Sequence, residues 1–184
     1  MKYAIEAKGL VKSYGNKQVL QGLHMNVKSG EIFGLIGANG AGKSTTIDCV
    51  LGTKKLDQGT VKILGNSPNP KQKSHFEQIG VQFQESAFQN GLTVKEICKI
   101  THSLYKNPID WKMKLTDYQL EHHVRSSIST LSGGERQKLC ILLATMGQPK
   151  LLVLDELTTG LDPVARRQIW NNLRQLNDEV LPFY

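Results

Sequence analysis

Long apolar runs and disulfide-forming cysteines are scarce in this 184-residue sequence. No run approaches the roughly 18 apolar residues that would span a bilayer, so the sequence predicts no membrane-spanning helix. Three widely spaced cysteines, an odd number, favour reduced cytosolic thiols over a disulfide framework. The chain also begins without a basic-then-apolar leader, which gives no indication of secretion. With 39% hydrophobic residues, it can still bury one core, and we expect a single domain.

A glycine-rich segment is the most informative feature that is present. It matches the pattern G-x-x-x-x-G-K-[ST] at every defined position. The apolar run 32–36 before it predicts a buried strand, and residues 43–51 after it predict a helix with one apolar face. Glycines let successive backbone N–H groups turn inward around phosphate oxygens, and the helix N-terminus adds partial positive charge. The predicted nucleoside triphosphate loop consists of Gly37, Ala38, Asn39, Gly40, Ala41, Gly42, Lys43, Ser44 and Thr45.

Two side chains of this loop carry the expected chemistry. Lys43 would neutralise the β and γ phosphates, and the Ser44 hydroxyl would coordinate Mg²⁺. The alternative is a glycine turn that merely precedes a helix, but the complete pattern and its context favour the phosphate site.

A second apolar run, 151–154, ends in the acidic pair Asp155 and Glu156. This pattern predicts a strand buried on both faces that delivers carboxylates to the active edge of a sheet, as in a Walker B element. Asp155 would hold Mg²⁺ through water, and Glu156 would act as general base towards the attacking water. Standing alone, the segment would better suit a core strand that ends in a solvated acidic turn, but the phosphate loop upstream favours the Walker B interpretation.

The segment 131–137 reads Leu-Ser-Gly-Gly-Glu-Arg-Gln and precedes a helical pattern. Two glycines at a helix start expose N–H donors to an anion, and Ser132 is suited to cap that helix. Here the chain resembles the nucleotide-binding subunits of ATP-binding cassette (ABC) transporters, whose signature is L-S-G-G-[QE]. The resemblance implies that Ser132, Gly133, Gly134 and Glu135 meet the γ-phosphate held by a partner subunit.

Three further positions fit the same resemblance. Tyr14 stands where the family places the aromatic ring that stacks on adenine, although a tyrosine in a β-rich segment is often just packed. Gln84 matches the glutamine that contacts Mg²⁺ and joins the core to the helical subdomain, with Gln82 as a competing candidate. Asp162, in Gly-Leu-Asp-Pro, matches the loop that crosses the dimer interface.

The resemblance implies an α/β fold of the P-loop NTPase class, with a parallel-sheet core, an antiparallel β subdomain and an inserted helical subdomain. We expect one domain over 1–184, with the core at 1–85 and 147–184 and the signature-bearing helical part at 86–146. The implied activity is ATP hydrolysis with Mg²⁺, in a head-to-tail dimer with a second nucleotide-binding subunit. Separate membrane subunits would couple it to export, which places the chain on the cytoplasmic face of the cell membrane.

Two departures from the family pattern stand out. Leu157 replaces the proline that normally follows the catalytic glutamate, which removes a backbone restraint on Glu156 and predicts slower turnover. The family also places a switch histidine on a later strand, whereas all five histidines here precede Asp155. The sequence therefore resembles a cassette truncated before that strand, poorly stable and weakly active by itself.

Other functions are less consistent with the residues. The net charge of +7 comes from scattered lysines, and no nucleic-acid module is recognisable, so we expect no nucleic-acid partner. A soluble cassette protein of translation or DNA repair would usually carry two cassettes or long coiled-coil insertions. The remaining alternative is a truncated remnant that does not hydrolyse ATP.

Overall fold

The computed structural model describes residues 2–69, 71–72, 77–82, 88–89, 91–155 and 161–180, with backbone only at 165 and 175–180. The chain divides into two compact units, one within residues 1–76 and the other within 77–180. Among the helices of these described ranges, none has both the length and the apolar character needed to cross a bilayer.

The first unit is built on a three-stranded antiparallel sheet. Strand β1 (Tyr3–Tyr14) lies in the middle, between β2 (Lys17–Lys28) and β3 (Gln58–Ile63). The turn from β1 to β2 passes through Gly15, whose φ of 55° favours glycine. Apolar side chains on one face of the sheet form the core, so the predicted antiparallel β part is confirmed.

Helix α1 (Lys43–Leu51) occupies the predicted range. It begins after Gly42, with φ 90°, and ends at Gly52, with φ 75°. Both glycines adopt the left-handed conformation that residues with a Cβ disfavour, and this fixes where the helix starts and stops. Its buried face carries Thr46, Cys49, Val50 and Leu51.

The prediction of a buried strand at 32–36 is wrong. Residues 31–38 have no regular secondary structure, and Ile32, Phe33 and Ile36 are 51%, 44% and 94% exposed. No strand among the described residues pairs with this segment. A strand needs neighbours to satisfy its backbone N–H and C=O groups and cover its side chains, so apolar composition alone does not make one.

The second unit contains a parallel pair of strands, β4 (Ile79–Gln82) and β5 (Leu151–Leu154). β5 is half-buried rather than buried on both faces as predicted, because among the described residues its sheet contains β4 as the one neighbour. Gly80 permits close packing on β4: a Cβ at this position would overlap the Ala144 carbonyl oxygen and approach Leu152 Cδ1 to 2.8 Å.

Four helices lie in the described part of this unit: α2 (Val94–Ser103), α3 (Trp111–Asp117), α4 (Gly133–Thr145) and α5 (Pro163–Val180). Short 3₁₀ turns at Glu121–His123 and Ile128–Thr130 lead into α4. Asn107 and Pro108 fall between α2 and α3. The helices enclose an apolar core in which Leu139, Ile141 and Leu142 of α4 are fully buried.

The three cysteines form no disulfide, as the sequence predicted, and all are buried. Cys49 lies in the first unit, and Cys98 and Cys140 lie in the second. Burial raises the pKa of Cys98 to about 12, so its thiol stays protonated at neutral pH.

Candidate functional site

The glycine-rich loop leads directly into α1 in the first unit. Gly40 and Gly42 have φ values of 78° and 90°, so the loop requires glycine at both positions. A Cβ on Gly42 would lie 2.9 Å from Val19 Cγ1, so a side chain there would also be crowded. The α1 N-terminus has no side-chain cap and no acidic residue in its first turn. Such a helix start is suited to an anion.

Lys43 folds back over this loop. Its Nζ donates hydrogen bonds to the carbonyl oxygens of Gly37, at 2.8 Å, and Ala38, at 3.0 Å. The ammonium group therefore lies beside the loop backbone at the start of α1. Phosphate oxygens are stronger acceptors than neutral carbonyl oxygens, so these contacts can be exchanged for contacts to a nucleotide.

Tyr14 lies at the end of β1 and is 44% exposed. The Nζ atoms of Lys12 and Lys54 lie 5.5 and 5.8 Å from its ring centroid. Asp57 fixes this strand end, since its carboxylate accepts from Lys12 Nζ at 3.0 Å and from the Ser13 N–H at 2.6 Å. The hydrogen bonds from Lys12 and Ser13 lower the pKa of Asp57. The Tyr14 ring is thus partly accessible to a stacking partner, while Asp57 fixes the backbone of the strand end that carries it.

The start of α4 has the geometry that the sequence predicted for Ser132. Its Oγ accepts from the Glu135 N–H at 3.3 Å, and the Glu135 carboxylate accepts from the Ser132 N–H at 2.8 Å. This reciprocal capping box holds the glycines at 133 and 134 at the open end of the helix. His123 Nε2 lies 3.1 Å from the other carboxylate oxygen of Glu135. The 3₁₀ turn at Glu121–His123 therefore contacts the same cap.

A cavity of about 310 Å³ opens at this helix start. Asp162 contributes to its wall and accepts from the Val164 N–H at 2.8 Å, which orders the entry to α5. The structure therefore brings together the signature residues and Asp162, which the sequence placed in separate motifs. The cavity is lined by Ser132, Gly133, Gly134, Glu135, Lys138, Leu161, Asp162 and Gln168.

Asp155 follows β5 immediately and is 7% exposed. Its N–H donates to the Gln82 carbonyl oxygen at 3.0 Å, which continues the β4–β5 ladder. Glu156 and Gln84, predicted to act on water and Mg²⁺, lie outside the described residues, as does Leu157.

Magnesium is the metal that a nucleotide site of this kind implies. Within the described ranges no three His, Cys, Asp or Glu side chains form a metal-binding group. Magnesium in nucleotide sites needs only one or two protein oxygens, because phosphates and water complete its octahedron. Ser44, in the first unit, and Asp155, in the second, each offer an oxygen of that kind. Taken one at a time, these residues suit magnesium bound with a nucleotide better than a metal caged by protein alone.

Two contacts in these motifs were not predicted. Gln137 Nε2, on α4, donates to Gln82 Oε1, on β4, at 3.0 Å. Asp57 holds the end of β1 from a position 44 residues away from Ser13. An amide within the apolar run 79–82 was the available sign of the first, and the second had no local signal.

The signature cap should respond to pH. Hydrogen bonds from Ser132, and the charge of His123, lower the pKa of Glu135 below its normal value of 4.5. A lowered pKa adds stability that is complete above the unfolded value and disappears as pH falls through the folded value. We expect the urea midpoint of the second unit to fall between about pH 5 and about pH 3, and to fall less in Glu135→Gln.

The control for that measurement is Glu96, which forms the same capping box with Thr93 at the start of α2 and has a pKa lowered by the same kind of bonds. Glutamine keeps an acceptor at either position but does not titrate. Glu96→Gln should reduce the acid dependence independently, so the double variant should show the sum. An acid dependence in Glu135→Gln equal to that of the wild type would contradict the expectation.

Comparison with known proteins agrees with these features. The chain is 39% identical over 181 residues to the Nod factor export ATP-binding protein I of Rhizobium sp. (strain N33), covering 95% of this chain and 59% of the relative. It is 35% identical over 184 residues to the protein of the same name from Burkholderia lata, covering 94% and 58%. The chain thus spans less than two thirds of the length of these curated relatives.

Solved structures are similar in fold. An ATP binding subunit of an ABC transporter superposes with a TM-score of 0.82 at 27% identity, covering 96% of this chain and 75% of that chain. The cbiO1 protein of Clostridium perfringens, part of the ABC transporter complex cbiONQ, gives a TM-score of 0.82 at 27% identity, covering 98% and 76%. These likenesses confirm the predicted α/β P-loop fold. The sequence model described as ABC transporter matches residues 20–159, well over half of the chain, and the chain therefore belongs to the ABC transporter family of ATP-binding subunits.

Proposed function

We propose that this chain binds and hydrolyses ATP in order to drive export through separate membrane subunits, on the cytoplasmic face of the cell membrane. The observation that carries the proposal is the phosphate loop, with glycine-only conformations at positions 40 and 42 and Lys43 at the start of an uncapped helix. The export direction is proposed from its relatives, which are named export ATP-binding proteins.

Each predicted site residue has a role in this proposal. The loop N–H groups and the Lys43 ammonium bind the phosphates, and Tyr14 stacks on adenine through its exposed ring. As their motifs predict, Ser44 and Asp155 would each be a ligand of Mg²⁺, and the ion would neutralise charge on the phosphates. Glu156 and Gln84 act on the attacking water and the metal, as their motifs predict.

We further propose that the active unit is a head-to-tail dimer with a second nucleotide-binding subunit. The start of α4 supports this, because it offers two glycine N–H groups and the Ser132 hydroxyl at the mouth of a cavity. Such a group of donors suits the γ-phosphate of a nucleotide held by the partner. Asp162, on the same cavity wall, would contact the partner directly.

The proposal is tested by self-association in the presence of a slowly hydrolysed ATP analogue and Mg²⁺, measured by analytical ultracentrifugation. Ser132→Ala should weaken this association by roughly fivefold to a hundredfold, because each of the two shared sites loses one hydrogen bond. Affinity of the monomer for the analogue should not change, because Ser132 would contact only the partner's nucleotide.

Thr93→Ala is the matched control, since Thr93 caps α2 with the same reciprocal pair of bonds and lies outside the signature. Each substitution removes an N-cap and costs about 1 kcal/mol of stability. Equal effects of the two variants on association would point to loss of capping rather than loss of a phosphate contact. Absence of analogue-dependent association in the wild type would refute the dimer.

A further inference from the structure

Gln82 is a buried amide in an otherwise apolar strand. It is 6% exposed, and its neighbours Ile79 and Gly80 on β4 are also buried. Burying an unpaired amide costs about 1 to 3 kcal/mol, so its side chain needs a partner. That partner is Gln137, whose Nε2 donates to Gln82 Oε1 at 3.0 Å across a separation of 55 residues.

The backbone of the same residue contacts the other functional element of this unit. The Gln82 carbonyl oxygen accepts from the Asp155 N–H at 3.0 Å, and Gln82 is in register with Leu154. One residue thus bonds through its main chain to the proposed Mg²⁺ aspartate and through its side chain to the helix that begins with the signature.

The rest of the interface makes this connection stiff. Gly80, two residues before Gln82, packs so closely on α4 that a Cβ would overlap the Ala144 carbonyl oxygen. Ala144 lies about two helical turns beyond Gln137. The strand and the helix are therefore held together at two points, and the Gln82–Gln137 bond is the one nearer to the signature.

We propose that Gln82 is a positioning residue that couples Asp155 to the signature helix. This inference rests on the proposed function, in which Asp155 serves the nucleotide bound by its own subunit and the signature serves the nucleotide of the partner. The Gln82–Gln137 bond then connects the two ATP sites of a dimer through a single subunit. Its loss leaves nucleotide affinity unchanged and removes the response of α4 to that nucleotide.

Hydrogen–deuterium exchange of residues 136–142 with and without ATP and Mg²⁺ tests the coupling in the monomer. In the wild type, nucleotide should slow exchange in this part of α4 by about fivefold, which corresponds to about 1 kcal/mol at the standard tenfold per 1.4 kcal/mol. Gln82→Leu should show less than about a twofold change while its ATP affinity stays within about twofold of wild type. Gln82→Glu keeps an acceptor for Gln137 and should restore the response.

Thr145→Val is the matched control on the same helix. It removes a buried hydrogen bond from Thr145 Oγ1 to the Leu142 carbonyl oxygen that stays within α4. This variant should retain the nucleotide response. If it loses the response as Gln82→Leu does, or if Gln82→Leu responds like the wild type, the coupling role is refuted. A wild type that binds ATP but shows no change in α4 also refutes it, whereas a wild type that does not bind ATP refutes the proposed function and the coupling together.

A double-mutant cycle tests the bond without nucleotide. Unfolding of Gln82→Leu, Gln137→Leu and the double variant should be non-additive by the equivalent of about a fivefold change in the folding constant. Gln137 is half-buried at the helix surface, so Gln137→Leu breaks the same bond even if Gln82→Leu fails to fold. In that event Gln137→Leu takes its place in the exchange experiment. Additive effects would show that the two amides do not interact and would overturn the proposal.

Discussion

Lys43→Ala is expected to weaken ATP binding roughly tenfold to a hundredfold. The Lys43 ammonium is the cation at the phosphate loop, and a charge-assisted hydrogen bond to phosphate contributes about 1.5 to 3 kcal/mol. Alanine removes both the charge and the donors without altering the glycines that shape the loop. Titration with a fluorescent ATP analogue measures the two dissociation constants directly.

Lys62→Ala is the control for this titration, because Lys62 is exposed on β3 and its substitution removes the same charge from the same unit. The affinity of this variant for the analogue should match that of the wild type. Lys43 also bonds to Gly37 and Ala38, so circular dichroism of Lys43→Ala should first establish that α1 is intact. Equal affinities of Lys43→Ala and the wild type would refute the assignment of the loop as the phosphate site.

Leu139→Ala is expected to reduce the free energy of unfolding of the second unit by about 2 to 5 kcal/mol. Leu139 is fully buried on α4, in one cluster with Trp111, Ile128 and Ile169. Truncation removes apolar contacts from that cluster and leaves a cavity that rigid neighbours fill only in part. Because domains are stable by only about 5 to 15 kcal/mol, the loss is a large fraction of the total.

Urea unfolding followed by tryptophan fluorescence measures this effect, since Trp111 is buried in the same core. Leu104→Ala provides the comparison, because Leu104 is 59% exposed and its truncation should change stability by less than about 0.5 kcal/mol. A loss below about 1 kcal/mol for Leu139→Ala would mean that the helical core is not organised around α4.

Local signals predicted part of this architecture well. Helix α1 lies at its predicted bounds because the phosphate-loop pattern marks its start and its apolar face continues to Leu51. The glycines observed at both of its ends also act locally, on the backbone within one or two residues. The Ser132 cap is also predictable from local sequence, since Ser132 and Glu135, its partner in the capping box, lie three positions apart.

Features that depend on distant partners were not predictable. Residues 32–36 have the composition of a buried strand, yet no described strand pairs with them, and pairing is decided elsewhere in the chain. The Gln82–Gln137 bond joins residues 55 positions apart, so no window of sequence contains both. The roles of Tyr14, Ser44 and Asp155 stay predictions. Alanine substitutions at these positions can test them in the same nucleotide titration.

Because the cysteines are buried, their reactivity towards a thiol reagent depends on the opening of the unit that holds them. Cys49 is 2% exposed in the first unit, and Cys98 and Cys140 are 0% and 7% exposed in the second. A maleimide or disulfide reagent reaches a thiol of this kind only when the surrounding structure opens. The rate of modification at Cys49 therefore reports the opening of the first unit, which holds the glycine-rich loop. The rates at Cys98 and Cys140 report the opening of the second unit, which holds the signature. The native cysteines therefore allow the opening rate of each unit to be measured separately by thiol modification, without an introduced label.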